Sequence, residues 1–303
     1  LLSRHLRLPQ QARRYIKKKP LMTTWVIFMH IANPIYDSVF KFLLEDQTSA
    51  VLLLSSIIGE SIESLEFLPQ ENIVQLERRA LTVYRLDFAA KIKTEQGYKQ
   101  VLIEVQKAKL PSDVMRFRRY LGEQYAKKSN TYLIEYNGIQ QKIPLPIISI
   151  YFLGYSLEKI KTPIIKVNRR YYDLVNQEEI QQTEAFIESL THDSYVIQIA
   201  ELHQAHRNEL EQLLLIFAQH QQLATDEHIL EIDEQSYPEK YRPLMRRLQQ
   251  AAQEPDVRKT MDAEDEILQD LQAMEQVIAD KDQLLAAQAK LIAELKQQLK
   301  QDF

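Results

Sequence analysis

Arg85-Leu86-Asp87-Phe88-Ala89-Ala90-Lys91-Ile92-Lys93-Thr94-Glu95-Gln96-Gly97-Tyr98-Lys99-Gln100-Val101-Leu102-Ile103-Glu104-Val105-Gln106-Lys107 is the stretch on which the reading of this chain turns. Leu86, Phe88, Ala90 and Ile92 alternate with Asp87, Ala89, Lys91 and Lys93, the period of a half-buried strand. After the turn signal Gln96-Gly97 the alternation resumes, with Val101, Ile103 and Val105 on one face and Leu102, Glu104 and Gln106 on the other. The two runs predict a β-hairpin. If Gln96-Gly97 is a two-residue turn, Asp87 lies opposite Gln106 with Glu104 diagonal to it. A four-residue loop sets Asp87 directly against Glu104, and a three-residue loop breaks the parity. Directly opposed residues hold their Cβ atoms about 4.5–5.5 Å apart.

Two carboxylates converging from adjacent strands repel each other unless a cation lies between them. Mg²⁺ or Mn²⁺ suits that place, since hard cations take oxygen ligands, keep several waters and bridge to phosphate. Gln106 offers a carbonyl oxygen and an amide but no base near neutral pH. An exposed polar strand face accounts for the spacing equally well.

Working outward, Ile35, Val39, Phe42 and Leu43 recur at helical spacing, and a second helix is expected at 48–58, stopped by Gly59. Pro111-Ser112-Asp113 opens a helix running to about Lys128, with Val114, Phe117, Leu121 and Tyr125 as its buried stripe. A buried strand is expected at 145–153, with shorter ones near 163–170 and 194–199. Helices are expected at 178–190, 206–221 and 238–252. After Pro255, Leu271, Ile278, Leu285, Ile292 and Leu299 repeat every seven residues, with Met274 and Leu295 at d and with Lys281 and Gln288 interrupting it. That heptad predicts a coiled coil and a homodimer through residues 262–303.

Composition bounds the function. The 303 residues are 45% hydrophobic and 26% charged, which supports a packed core. Five glycines and no Walker or Rossmann pattern leave no small-molecule cofactor to expect. The chain has no cysteine, which excludes disulfides and thiolate chemistry and fits a cytoplasmic setting. The apolar run Leu21–Ala32, about twelve residues, is short of the roughly 20 that span a membrane, so no membrane partner is expected. Residues 1–28, with seven Lys/Arg in the first 20, are read as a basic and apolar extension, and the functional start is expected near Met22 or Met29. Residues 107–128 carry seven Lys/Arg against two acids, whereas residues 254–303 carry twelve acids against six bases. Such asymmetry is compatible with a nucleic-acid surface, and solvated helix faces explain it too. His203 and His206, at i, i+3, lack a third ligand.

Four blocks stand in order: Asn33-Pro34-Ile35-Tyr36-Asp37-Ser38-Val39-Phe40-Lys41, Arg85-Leu86-Asp87-Phe88, Leu102-Ile103-Glu104-Val105-Gln106-Lys107-Ala108-Lys109, and Met115-Arg116-Phe117-Arg118-Arg119-Tyr120-Leu121-Gly122-Glu123-Gln124-Tyr125. Together they resemble the PD-(D/E)XK nuclease family transposases, relatives of the recombination-promoting (Rpn) nucleases, over roughly residues 31–250. The resemblance implies an α/β fold with an αβββαβ nuclease core at 29–255, added helices, and metal-dependent cutting of DNA. By that resemblance Asp87 and Glu104 match the metal ligands. Gln106 falls where better-known members of the superfamily carry Lys, which weakens the expectation of efficient catalysis. Asp37 matches a supporting position on the first helix. Lys91 is a spare cation on the Asp87 face, whereas alternation turns Lys107 away. Arg116, Arg119 and Gln124 are expected to contact phosphate or to support the site, and Tyr120 to pack. The alternative is a catalytically inactive nuclease fold that acts as a coiled-coil interaction or scaffold module.

Overall fold

A computed structural model of the chain describes residues 28–68, 74–75, 82–83, 88–110, 113–136, 138–203 and 207–301. The described chain begins with strand β1 (Phe28–Ala32), then helices α1 (Asp37–Glu45) and α2 (Gln47–Ile58). Strand β2 (Ile62–Phe67), the short pair β3 (Val74–Gln75) and β4 (Thr82–Val83), and the hairpin strands β5 (Phe88–Thr94) and β6 (Gly97–Gln106) follow. Next come α3 (Asp113–Ala126), the hairpin β7 (Thr131–Tyr136) and β8 (Ile139–Pro144), and β9 (Ile147–Leu153). Strands β10 (Ile164–Val167), β11 (Tyr171–Asp173) and β12 (Glu178–Ile180) lead to α4 (Ala185–Leu190) and β13 (His192–Gln198). The chain closes with α5 (Glu209–Leu214), β14 (Gln222–Leu223), β15 (Asp226–Asp233), α6 (Arg242–Gln253) and α7 (Pro255–Gln301).

Among the described residues the main sheet is six-stranded and mixed, in the order β10-β13-β9-β6-β5-β2. β2, β5 and β6 form an antiparallel meander, and β9 and β13 run parallel to β6. A parallel neighbour needs a crossover, and α3 supplies it between β6 and β9. The fold is therefore α/β, with a second three-stranded sheet β1-β15-β14.

Strand alternation divides the side chains between two layers. Phe88, Ala90, Ile92, Val101, Ile103 and Val105 join α1, α2 and α6 in the main core. Ala89 and Leu102 pack with Phe117, Tyr120 and Leu121 of α3 on the other face. The alternation read from the sequence thus holds along the described hairpin. Its turn lies one residue earlier than Gln96-Gly97: Thr94 pairs with Gly97, leaving Glu95-Gln96 as the two-residue turn. Gly97 has φ +114°, a conformation a side chain resists, so the glycine belongs at the strand start rather than inside the turn.

Several elements depart from the sequence expectation. An unexpected strand, Phe28–Ala32, pairs along its length with β15; Ile31 and Ala32 are fully buried, and only Phe28 falls within the stretch read as an extension. Residues 1–27, Met22 among them, lie outside the described residues. The 178–190 helix is a strand at 178–180 and a helix only over 185–190. The 206–221 helix is α5 followed by 3₁₀ turns at Leu215–Phe217 and Gln219–Gln221. Leu213 to Ala218 are buried at every position. An amphipathic helix keeps one face in water, and this run has no such face to offer. The tail helix begins at Pro255, ahead of the 262 at which the tail was expected to start, and Met261 within its first turns is fully buried.

Candidate active site

Glu104 and Gln106 sit near the end of β6, opposite Tyr151 and Leu153 of β9. Their parity with Leu102 turns both toward α3. Both are buried, at 4% and 7% exposure. Tyr151 packs on Phe117 of α3 with ring centroids 4.3 Å apart. Burial pushes the Tyr151 phenol well above its ordinary range, and the negative charge of Glu104 adds to that rise against the opposing Ser149 hydrogen bond. Glu104 therefore lies beside a phenol that stays neutral. The Tyr155 hydroxyl donates to Gln106 Oε1 at 2.9 Å, which fixes the carboxamide and leaves that oxygen one further lone pair.

The strands β6 and β9 end in close register. Gly154 N–H donates to the Gln106 carbonyl at 2.8 Å, and a Cβ on Gly154 would run into the Lys107 carbonyl and the Ile35 side chain. Absence of a side chain at 154 lets the two chains approach just beyond Gln106.

The remaining expected site residues fare differently. Asp87 lies outside the described residues. Lys91 shares the Glu104 face but pairs with Gln100, about 13 Å along the strand, and its ammonium rests over the Tyr98 ring at 4.9 Å. It does not reach Glu104 as a spare cation. Gln124 is a strut rather than a site residue: its Oε1 accepts from Gln100 at 2.9 Å and from Asn130 at 3.1 Å, at the opposite end of β6 from Glu104. Tyr120 packs in the α3 layer. Arg119 is exposed on α3. Arg116 lies on the same helix, its side chain outside the described atoms. Asp37 opens α1 on the far side of the sheet from α3. His203 is exposed, and His206 lies outside the described residues.

A second polar cluster, unread in the sequence, sits on that far face. Asp265 of α7 is paired with the Lys107 ammonium, accepts from the Tyr36 hydroxyl at 2.9 Å, and lies 2.9 Å from His228 Nε2. Lys107 also lies 3.8 Å from the centroid of the Tyr36 ring. Burial raises the Asp265 carboxyl, but its hydrogen bonds to Lys107 and His228 outweigh burial and hold it below its ordinary value. Glu264 accepts from the backbone N–H groups of Asp37 at 2.8 Å and Ser38 at 2.9 Å. It thereby caps α1, whose own N-cap Tyr36 makes no capping bond with its side chain. Burial is the larger influence on Glu264 and raises its carboxyl.

Among the described residues, Glu227, His228 and Asp265 can present metal-ligand atoms within 4.8 Å of one another. The Lys107 ammonium already neutralises Asp265, so a cation there would meet a positive charge. The cluster is better explained as the dock that holds α7 to β6, α1 and β15. Nothing in the spacing announced it, because its members stand 226 to 229 residues apart along the chain where α7 meets α1. A cleft of about 700 Å³ opens at the other end of the sheet, between Tyr98, Tyr132 and Arg169; of its cations Lys99 is paired with Glu60, Arg169 with Glu188 and Asp193, and Lys166 lies over the Tyr195 ring.

Comparison of the chain with protein-family models, with curated proteins and with solved structures finds no match in any of the three.

Proposed function

We propose that this chain is a divalent-metal-dependent DNA endonuclease of the PD-(D/E)XK type, with Asp87 and Glu104 as metal ligands and Gln106 beside them. The supporting observation is the burial of Glu104 on the α3 side of the β6/β9 pair, two residues before a likewise buried Gln106. A carboxylate in this place can serve a hard cation as an oxygen ligand. The reading draws support from the order of the main-sheet elements: helices α1 and α2, the antiparallel strands β2, β5 and β6, helix α3 and the parallel strand β9, with the pairs β3–β4 and β7–β8 inserted.

In this reading Asp87 and Glu104 hold Mg²⁺ or Mn²⁺, which when bound polarises the scissile phosphate and makes water a better nucleophile. Tyr155 holds the Gln106 carboxamide in place. Arg116 and Arg119 on α3 offer sequence-independent phosphate contacts. The decisive experiment is plasmid nicking with Mg²⁺, with Mn²⁺ and with EDTA. Cleavage that needs the metal and disappears in both Asp87→Ala and Glu104→Ala supports the reading. Full activity in either variant overturns it.

A second reading is favoured by the exposed apolar stripe of α7: a nuclease fold that cuts nothing and serves as an interaction module. The same assay separates the two, since a module shows no metal-dependent nicking in the unmodified chain.

A further inference from the structure

α7 is 47 residues long, about 70 Å, and among the described residues its first turns, with Met261, Glu264 and Asp265, are held against the body. From Gln276 to Glu294 every residue is exposed. That stretch includes Val277, Ile278, Leu284, Leu285, Leu291 and Ile292, each 51–63% exposed. Adjacent apolar pairs recurring every seven residues form one stripe, and a lone helix gains nothing from holding such a stripe in water.

Charge along the helix indicates what covers the stripe. Residues 269–282 carry Asp270, Glu275, Asp280 and Asp282 against Lys281. Residues 284–300 carry Lys290, Lys296 and Lys300 against Glu294. The helix is thus acidic near the body and basic toward its far end. We propose that the occupant is a second copy of this chain, with the two α7 helices antiparallel and centred near Gln283.

Parallel pairing would stack Lys281 on its own copy inside the seam and lay acidic half on acidic half. Antiparallel pairing, with a layers against d layers, removes both conflicts. Leu285 then faces Lys281 of the second copy, Ile278 faces its Gln288, and Ile292 faces its Met274. Lys281 can lie along the aliphatic seam with its ammonium in water. Residues 271–299 span about 43 Å of helix, enough for a seam on the order of the 1,200 Å² at which stable interfaces begin. The inference is independent of the proposed chemistry.

The full chain is cysteine-free, so one introduced thiol carries one spin label. Gln283→Cys and Gln297→Cys place labels on the polar side of the helix, at and away from the centre. Antiparallel copies separate the Gln297→Cys labels by about 42 Å along the axis, because each of the 14 intervening residues contributes two rises of 1.5 Å, while the Gln283→Cys labels show no axial offset. Equal distances at the two sites would mean parallel pairing and overturn the proposal. Sedimentation at tens of micromolar is expected to give a dimer, and a monomer there overturns it. The double variant Leu285→Asp, Ile292→Asp is expected to be monomeric with an unchanged thermal midpoint, because both side chains stand clear of the body. A dimer that survives these substitutions overturns the proposal as well.

Discussion

Glu104 and Asp265 lie on opposite sides of the main sheet, and single substitutions separate their roles. Glu104 stands beside the Tyr151 phenol on the α3 face, and Asp265 is bound to Lys107 on the α1 face. Glu104→Ala is expected to lower metal-dependent nicking by about 10³-fold or more, the scale of removing a group that stabilises developing charge, with little loss of folding. Circular dichroism and nicking on the same preparation check it. Asp265→Asn should cost about 2 kcal/mol near neutral pH, between the values for exposed and buried pairs. Because the folded Asp265 carboxyl is held low, its stabilisation is full above the ordinary carboxylate range, about pH 4, and is lost as pH falls through the folded value. The difference in urea midpoint between the unmodified chain and Asp265→Asn is therefore expected to close on acidification. Glu264 runs the other way: its raised carboxyl makes ionisation a cost above that range, relieved as pH falls. A gap that widens below pH 4 would contradict the assignment of Asp265 as an ion-pair partner.

At the scale of elements, two junctions carry the architecture. The first is the close approach of the ends of β6 and β9. Gly154→Ala must move the Lys107 carbonyl, a backbone atom, so repacking is costly. A loss of about 1–3 kcal/mol in urea unfolding is expected, with nicking reduced because Gln106 and Tyr155 flank the disturbed segment. The second is the root of α7. A chain ended after Gln272 keeps Met261, Glu264 and Asp265 and is expected to stay folded and become monomeric. A chain ended at Pro255 loses the buried methionine, the α1 cap and the Lys107 partner, and should melt several degrees lower. Equal melting of the two truncations would show that the helix root is not part of the body.

For the whole molecule, a metal held by folded residues stabilises the folded state by mass action, so the thermal midpoint should rise with Mn²⁺ concentration. A tenfold excess over the dissociation constant corresponds to about 1.4 kcal/mol, and Glu104→Ala should abolish the rise. Differential scanning calorimetry from micromolar to millimolar Mn²⁺ reads this directly. A rise of equal size in Glu104→Ala, absent in Asp265→Asn, would move the site to the Glu227–His228–Asp265 cluster. No helix among the described residues is long and apolar enough to cross a membrane.

What the sequence determined alone was local and periodic. Alternation at 88–106 set which side chains face α3 and so put Glu104 and Gln106 on one side of the strand, since a period of two admits no other sorting once one face is buried. The heptad spacing announced a long helix with an unpaired stripe, and Lys107 was assigned to the opposite face by parity. What tertiary structure decided was which distant residues meet. Lys91 and Gln124 share the right elements with the site yet meet β6 at Gln100, about 13 Å along the strand from Glu104, because register and helix direction, not face, set distance along a sheet. β15 was illegible because its Asp226-Glu227-His228 start reads as a loop, and it is paired by β1, nearly 200 residues earlier. The α7 dock was hidden for the same reason. A run of acids before a heptad has the composition of a solvated helix face, and only the arrival of Lys107, Tyr36 and the bare end of α1 gives Glu264 and Asp265 their partners.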